Sequence, residues 1–126
     1  MSKKILIIDD DNDILHLMSY LLNEEGYSVK SSTTGKILSK LEKIKPDLIL
    51  LDCWLGGVFG DDLCREIKCN PLFKHIPIIM VSAIKNLDFI SKQCKAEAYI
   101  EKPFDINHLS DMVKQYCPQE TSGSKK

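Results

Sequence analysis

Asp47-Leu48-Ile49-Leu50-Leu51-Asp52 is a run of four large aliphatic residues closed on each side by a carboxylate. A surface strand would alternate apolar with polar residues, whereas an unbroken Leu/Ile run of this length, with Pro46 just before it, suits a strand buried on both faces. Strands of that kind belong to parallel sheets covered by helices on both sides, so this stretch predicts an α/β fold.

Working outward, three further runs have the same character: Ile5 to Ile8, Ile78 to Val81 and the briefer Ala98-Tyr99-Ile100. Tyr27-Ser28-Val29-Lys30 is more polar and reads as an edge strand. Between the runs the apolar spacing is helical. Ile14, Leu17, Met18, Leu21 and Leu22 fall on one face before Gly26; Ile37, Leu41 and Ile44 do so before Pro46. Leu63 with Ile67, and Leu87 with Ile90 and Cys94, mark two shorter helices. Ile106, Leu109, Met112, Val113 and Tyr116 form the last stripe, opened by Asp105 as N-cap. Strand and helix thus alternate five times, which predicts a doubly wound, five-stranded parallel sheet with helices on both faces and right-handed crossovers.

A chain of 126 residues is long enough for one core and too short for two ordinary domains. Residues 1–117 are expected to form that domain. Residues 118–126, rich in Ser, Gly, Lys and Gln, are expected to be a disordered tail or the start of a linker. With 17 basic and 18 acidic residues the formal charge is -1, which offers no electrostatic case for direct nucleic-acid binding. No apolar run approaches the roughly 20 residues of a membrane span. The five cysteines (53, 64, 69, 94 and 117) are odd in number and irregularly spaced, as expected of reduced, mostly buried thiols in a cytoplasmic protein rather than a zinc site.

In an open parallel sheet, ligands bind beyond the carboxyl ends of the strands. There the sequence places Asp9, Asp10 and Asp11 after the first strand, Asp52 after the third, Ser82 after the fourth and Lys102 shortly after the fifth. Asp11 and Asp13 have a simple role at the N-terminus of the helix beginning near Asn12. Asp52 does not: a carboxylate closing a buried strand costs desolvation free energy unless it is paired or metal-bound. Converging carboxylates call for a cation, and hard oxygen ligands suit Mg²⁺. A lysine ammonium and a serine hydroxyl suit the oxygens of a phosphoryl group. The set describes phosphoryl transfer to an aspartate, which becomes an acyl phosphate.

Over residues 3 to about 117 the chain resembles a response-regulator receiver of two-component systems. The resemblance is carried by Ile5-Leu6-Ile7-Ile8-Asp9-Asp10, Asp47-Leu48-Ile49-Leu50-Leu51-Asp52, Ser82-Ala83 and Tyr99-Ile100-Glu101-Lys102-Pro103-Phe104. It implies strand order 2-1-3-4-5 and a phosphoacceptor rather than a turnover enzyme, with only self-catalysed phosphotransfer and weak autodephosphorylation. By the same resemblance Asp52 accepts the phosphoryl group from a sensor histidine kinase or phosphotransfer protein. Asp10 and Asp52 ligate Mg²⁺, Asp9 reaches it mainly through water, and the Trp54 backbone carbonyl completes the ligands. Ser82 and Lys102 hold the phosphate, Ser82 and Tyr99 act as switch residues, and the Lys102-Pro103 peptide is cis.

Two departures stand out. The loop Cys53-Trp54-Leu55-Gly56-Gly57-Val58-Phe59-Gly60 has glycine where the family commonly has proline, so a less rigid turn is expected. Trp54 and Ile84 stand where the family often carries smaller or polar side chains, which points to unusual dephosphorylation kinetics. His16, His75 and His108 are scattered and read as solvent or packing residues. A haloacid-dehalogenase-type hydrolase would need a second acid two positions after Asp52, where Trp54 stands. A flavin module would not place three aspartates against a phosphate. The remaining alternative is a phosphorylation-independent protein-binding module. Whether the receiver stands alone or belongs to a longer regulator, and what its downstream effector is, are not legible in the residues.

Overall fold

The computed structural model describes residues 2–119. Five parallel strands, β1 (Lys4–Ile8), β2 (Ser28–Ser32), β3 (Leu48–Leu51), β4 (Ile78–Ser82) and β5 (Ala98–Glu101), form one sheet of order β2-β1-β3-β4-β5. Five helices alternate with them: α1 (Asn12–Glu24), α2 (Leu41–Ile44), α3 (Gly60–Lys68), α4 (Leu87–Gln93) and α5 (Ile106–Tyr116). This is the expected doubly wound architecture, with β2 at an edge. No helix among the described residues is long and apolar enough to cross a membrane.

The aliphatic runs are continuous because both sheet faces are covered. Ile5, Ile7, Leu48, Leu50, Ile79 and Val81 pack against α1 and α5, while Leu6, Ile8, Ile49, Leu51, Ile78 and Met80 pack against α2, α3 and α4. All of β3 is fully buried. Asp11 caps α1 by accepting from the Asp13 and Ile14 amides, and Asp105 caps α5 by accepting from the Asn107 amide. Gly26, at φ +98°, takes the left-handed conformation that ends α1.

Three expectations need adjustment. The buried seam of α1 is Leu15, Met18 and Leu22, so the stripe is rotated and Leu17 lies 40% exposed. Ile106 likewise sits outside the seam of α5, in which Leu109 and Val113 are buried. The segment before Pro46 is not one α-helix: Gly35–Lys40 is a 3-10 turn, and only Leu41–Ile44 is α-helical. Thr34 caps the turn through the Lys36 amide. The Ser39 hydroxyl takes up the Lys36 carbonyl, a local bond that competes with regular helix formation.

Four cysteines are buried, Cys69 is exposed, and all five are free. Pro118 and Gln119 are ordered at the end of the domain, where the Gln119 side chain donates to the Glu25 carbonyl. The remainder of the expected tail, 120–126, lies outside the described residues.

The buried Tyr27 hydroxyl donates to the Cys117 carbonyl at 2.9 Å, tying the start of β2 to the end of α5. Burial, then the neighbouring Cys117 and Glu25, push its phenol from 10.0 up to about 12. A folded pKa above the unfolded one means stabilisation that is complete below pH ~10 and lost as pH rises toward 12. Tyr27→Phe is therefore expected to be about 1 kcal/mol less stable than wild type at pH 8, with the gap closing by pH ~11 in urea titrations.

Candidate functional site

Asp9, Asp52 and Lys102 each sit one residue beyond the carboxyl end of a strand, Ser82 is the last residue of β4, and backbone hydrogen bonds extend the ladder at positions 9, 52 and 102. The Asp9 amide donates to the Ser32 carbonyl at 3.1 Å, and the Asp52 amide donates to the Ile8 carbonyl at 3.0 Å. The Lys102 amide donates to the carbonyl of Ser82, the last residue of β4, at 2.9 Å. Three loops are thereby anchored to the same edge of the sheet, bringing positions 9, 52 and 102 together.

Asp9, Asp10 and Asp52 each offer a carboxylate oxygen, and these oxygens lie within 4.8 Å of one another. Asp9 is fully buried, Asp52 is 7% exposed and Asp10 is open to solvent. Both Asp9 oxygens have a close donor: Lys102 Nζ donates to Oδ2 at 2.7 Å, and the Asp11 amide donates to Oδ1 at 2.9 Å. Asp52 is less tightly held. Its Oδ1 accepts from the Cys53 amide at 2.7 Å, while Lys102 Nζ stands 3.5 Å from its Oδ2. Asp10 makes no hydrogen bond or ion pair among the described residues. Three carboxylates and one ammonium leave an uncompensated double negative charge. Oxygens around one small divalent cation are separated by up to about 4.2 Å, twice a metal–oxygen distance of ~2.1 Å, so the observed spread needs only slight closure.

Burial pushes the Asp9 carboxyl above the usual carboxylate range even though the Lys102 and Asp11 hydrogen bonds pull it down. Burial alone would depress the Lys102 ammonium, but its hydrogen bond to Asp9 and the charges of Asp52 and Asp9 outweigh that and raise it. Lys102 is therefore a cation in this cluster, held mainly by Asp9 rather than by Asp52. The sequence did not suggest that pairing. The Lys102-Pro103 peptide is cis, as the resemblance implied.

Ser82 is buried at the end of β4, and burial drives the pKa of the buried Cys53 thiol up to about 12 even though Ser82 pulls it down. Tyr99, in β5, is 38% exposed and is not part of the cluster in this conformation. The three histidines are exposed and lie apart from the site.

The loop after Asp52 differs from the loose turn expected of two glycines. Leu55 and Val58 exchange backbone hydrogen bonds at 2.8 and 3.4 Å, Trp54 bridges Phe59, and the Gly60 amide donates to the Cys53 carbonyl at 2.8 Å. Gly56 and Gly57, at φ +57° and +98°, supply the two left-handed residues of a closed two-residue hairpin turn. Trp54 and Phe59 meet edge to face with ring centroids 5.3 Å apart, and both rings are about half exposed. Gly60 is a residue the sequence reading passed over. A Cβ there would lie 1.8 Å from the Asp52 carbonyl oxygen, so only glycine lets α3 start against the end of β3. The signal available in sequence was a glycine opening the helix after Asp52.

A parallel sheet of this order with an acidic cluster, a lysine and a serine at one edge defines a class of phosphoacceptor fold, and comparison with known proteins agrees. The family model for the response regulator receiver domain matches residues 5–114. The sporulation initiation phosphotransferase F of Bacillus subtilis (strain 168) is 35% identical over 125 residues, covering 97% of this chain and 99% of that protein. The alkaline phosphatase synthesis transcriptional regulatory protein PhoP of the same strain is 36% identical over 118 residues, covering 90% of this chain but 48% of that protein. A solved receiver domain protein (CheY-like) from Methanospirillum hungatei JF-1 superposes with TM-score 0.83 at 33% identity, covering 91% of this chain and 93% of that one. The chain belongs to the response-regulator receiver family, and its function is that of a receiver in two-component phosphorelay signalling.

Proposed function

We propose that Asp52 is the phosphoacceptor, that Asp10, Asp52 and the Trp54 carbonyl hold Mg²⁺ with Asp9 reaching it mainly through water, and that Lys102 and Ser82 bind the transferred group. The observation that carries this reading is the difference between the carboxylates: both Asp9 oxygens accept short hydrogen bonds, whereas Asp52 is buried beside Lys102 with its Oδ2 only loosely held at 3.5 Å. A carboxylate oxygen of Asp52 forms the new bond to phosphorus, and the donor's leaving group departs with the bonding electrons. Lys102 stands ready to shift from Asp9 toward the added oxygens. Bound Mg²⁺ supplies the remaining charge neutralisation. In this reading a sensor histidine kinase or phosphotransfer protein is the donor, the setting is cytoplasmic, turnover is confined to slow self-catalysed loss of the phosphoryl group, and Tyr99 and Ser82 carry the switch. The phosphorylation-independent alternative is not favoured, because the cluster has every group the chemistry requires.

The test uses stability and the protein's sole tryptophan. At ten times its dissociation constant Mg²⁺ is expected to stabilise the fold by about 1.4 kcal/mol, a gain that Asp10→Ala should lose. Trp54 emission should change first with Mg²⁺ and again with beryllofluoride, and Asp52→Asn should lose the second step. A wild-type melting temperature unmoved by saturating Mg²⁺, together with flat emission, would count against the metal site.

A further inference from the structure

At the edge of the sheet, β2 is paired on one side only, with β1. The Ser28 amide donates to the Lys3 carbonyl, and the Ser32 carbonyl accepts from Asp9, so residues 28 and 32 face β1. The alternation of a parallel ladder then turns the backbone N–H and C=O groups of Val29 and Ser31 outward, where the described residues place no strand. Lys30 is in register with Leu6, which belongs to the sheet face covered by α2 and α3. The Lys30 side chain therefore shares a face with Lys40 and Lys43. Between the strand edge and the 3-10 turn with α2 runs a groove of about 420 Å³, lined by Lys4, Lys30, Lys40 and Lys43 with Ile37 half-buried among them. Lys4 Nζ is spent on the Ile44 carbonyl. Lys30, Lys40 and Lys43 are exposed and form no ion pair among the described residues. In a chain of net charge -1 this is a local concentration of cations.

Lysines on an edge strand ordinarily guard against edge-to-edge pairing. Here they do so selectively. A second copy of β2 would bring Lys30 against Lys30, and like charges across a strand pair are destabilising. A strand carrying Asp or Glu at alternate positions would instead lay its carboxylates over Lys30, Lys40 and Lys43 while its backbone pairs with Val29 and Ser31. We propose that the β2 edge is a binding site for an extended acidic segment of a partner protein, added to the sheet as a further strand. This surface is separate from the phosphoacceptor cluster, and the inference does not depend on the roles assigned to Asp52 or Lys102.

The test is to titrate the isotope-labelled full chain with a short capped peptide of alternating Glu and Val, following backbone amides by NMR. Saturable shifts centred on residues 28–32 and 37–43, with slowed hydrogen exchange at the Val29 and Ser31 amides, are expected. Lys30→Glu with Lys43→Glu should weaken binding by about tenfold or more and make the protein bind the alternating Lys and Val peptide instead. Both positions are exposed, and an unchanged amide spectrum away from the groove verifies the fold of the double variant. Shifts spread over the surface, or unprotected Val29 and Ser31 amides, would overturn the proposal and leave the lysines as simple edge guards. Equal binding of single-stranded DNA at the same residues would overturn it in favour of a site for any polyanion.

Discussion

Acetyl phosphate with Mg²⁺ is expected to add one phosphoryl group to the wild-type protein and none to Asp52→Asn. Three carboxylates meet at the site, so the selectivity has to come from their surroundings. Asp9 is fully buried with its oxygens held by Lys102 and the Asp11 amide, and using it as nucleophile would break an ion pair at zero exposure. Asp10 is exposed and has no cation against it. Asp52 alone combines burial, a lysine within 3.5 Å and a lightly held oxygen. Intact-mass measurement reads the outcome. Labelling of Asp52→Asn at a rate near that of wild type would sink the assignment.

Lys102→Met is expected to have the second largest effect, in two directions at once. In stability, it strands Asp9 as a buried carboxylate with no cation, for which about 3–5 kcal/mol is the usual cost of breaking a buried pair. The sign with pH follows from the Asp9 carboxyl, which burial already holds above the usual range. A raised folded pKa means stabilisation that is present below pH ~4 and lost as pH climbs through the folded value. Removing Lys102 raises that value further, so the variant should be weakest at neutral pH and recover on acidification more than wild type does. Lys102, with its own pKa raised, contributes stability below pH ~10.4 that disappears at higher pH, and the variant should lack that alkaline loss. In phosphorylation, the absent ammonium should slow labelling by about 10²–10³-fold, while the extra negative charge tightens Mg²⁺ binding. A variant as stable as wild type at pH 7 without metal would contradict the Lys102–Asp9 pairing.

Much of this arrangement could be read from the residues because burial leaves a plain mark. Leu48–Leu51 is recognisable as a central strand because both its faces exclude water, and the carboxylate that follows it is conspicuous for the same reason. The positions of Asp9, Ser82 and Lys102 followed from where the apolar runs stop. What escaped notice was decided by contacts between distant or local polar groups. Ile37, Leu41 and Ile44 have a spacing that any helix satisfies, and only the Ser39–Lys36 bond distinguishes a 3-10 turn from an α-helix. The partner of Lys102 is 93 residues away, so no local pattern announces it. The glycine pair Gly56-Gly57 looked like slack because glycine's conformational range was visible and the hydrogen bonds between Leu55 and Val58 were not.

That 93-residue separation also governs when the protein becomes competent. Asp9 leaves the ribosome early and Lys102 late, with four intervening crossovers to complete before the two can meet. On the assignment proposed above, a nascent chain, a truncated product or a misfolded molecule carries Asp52 without Asp9 and Lys102 assembled around it, and is expected to take the phosphoryl group at least as slowly as Lys102→Met. Phosphorylation of Asp52 would then report that the whole sheet has closed, and a signalling population built on it would exclude incompletely made copies without any separate inspection step.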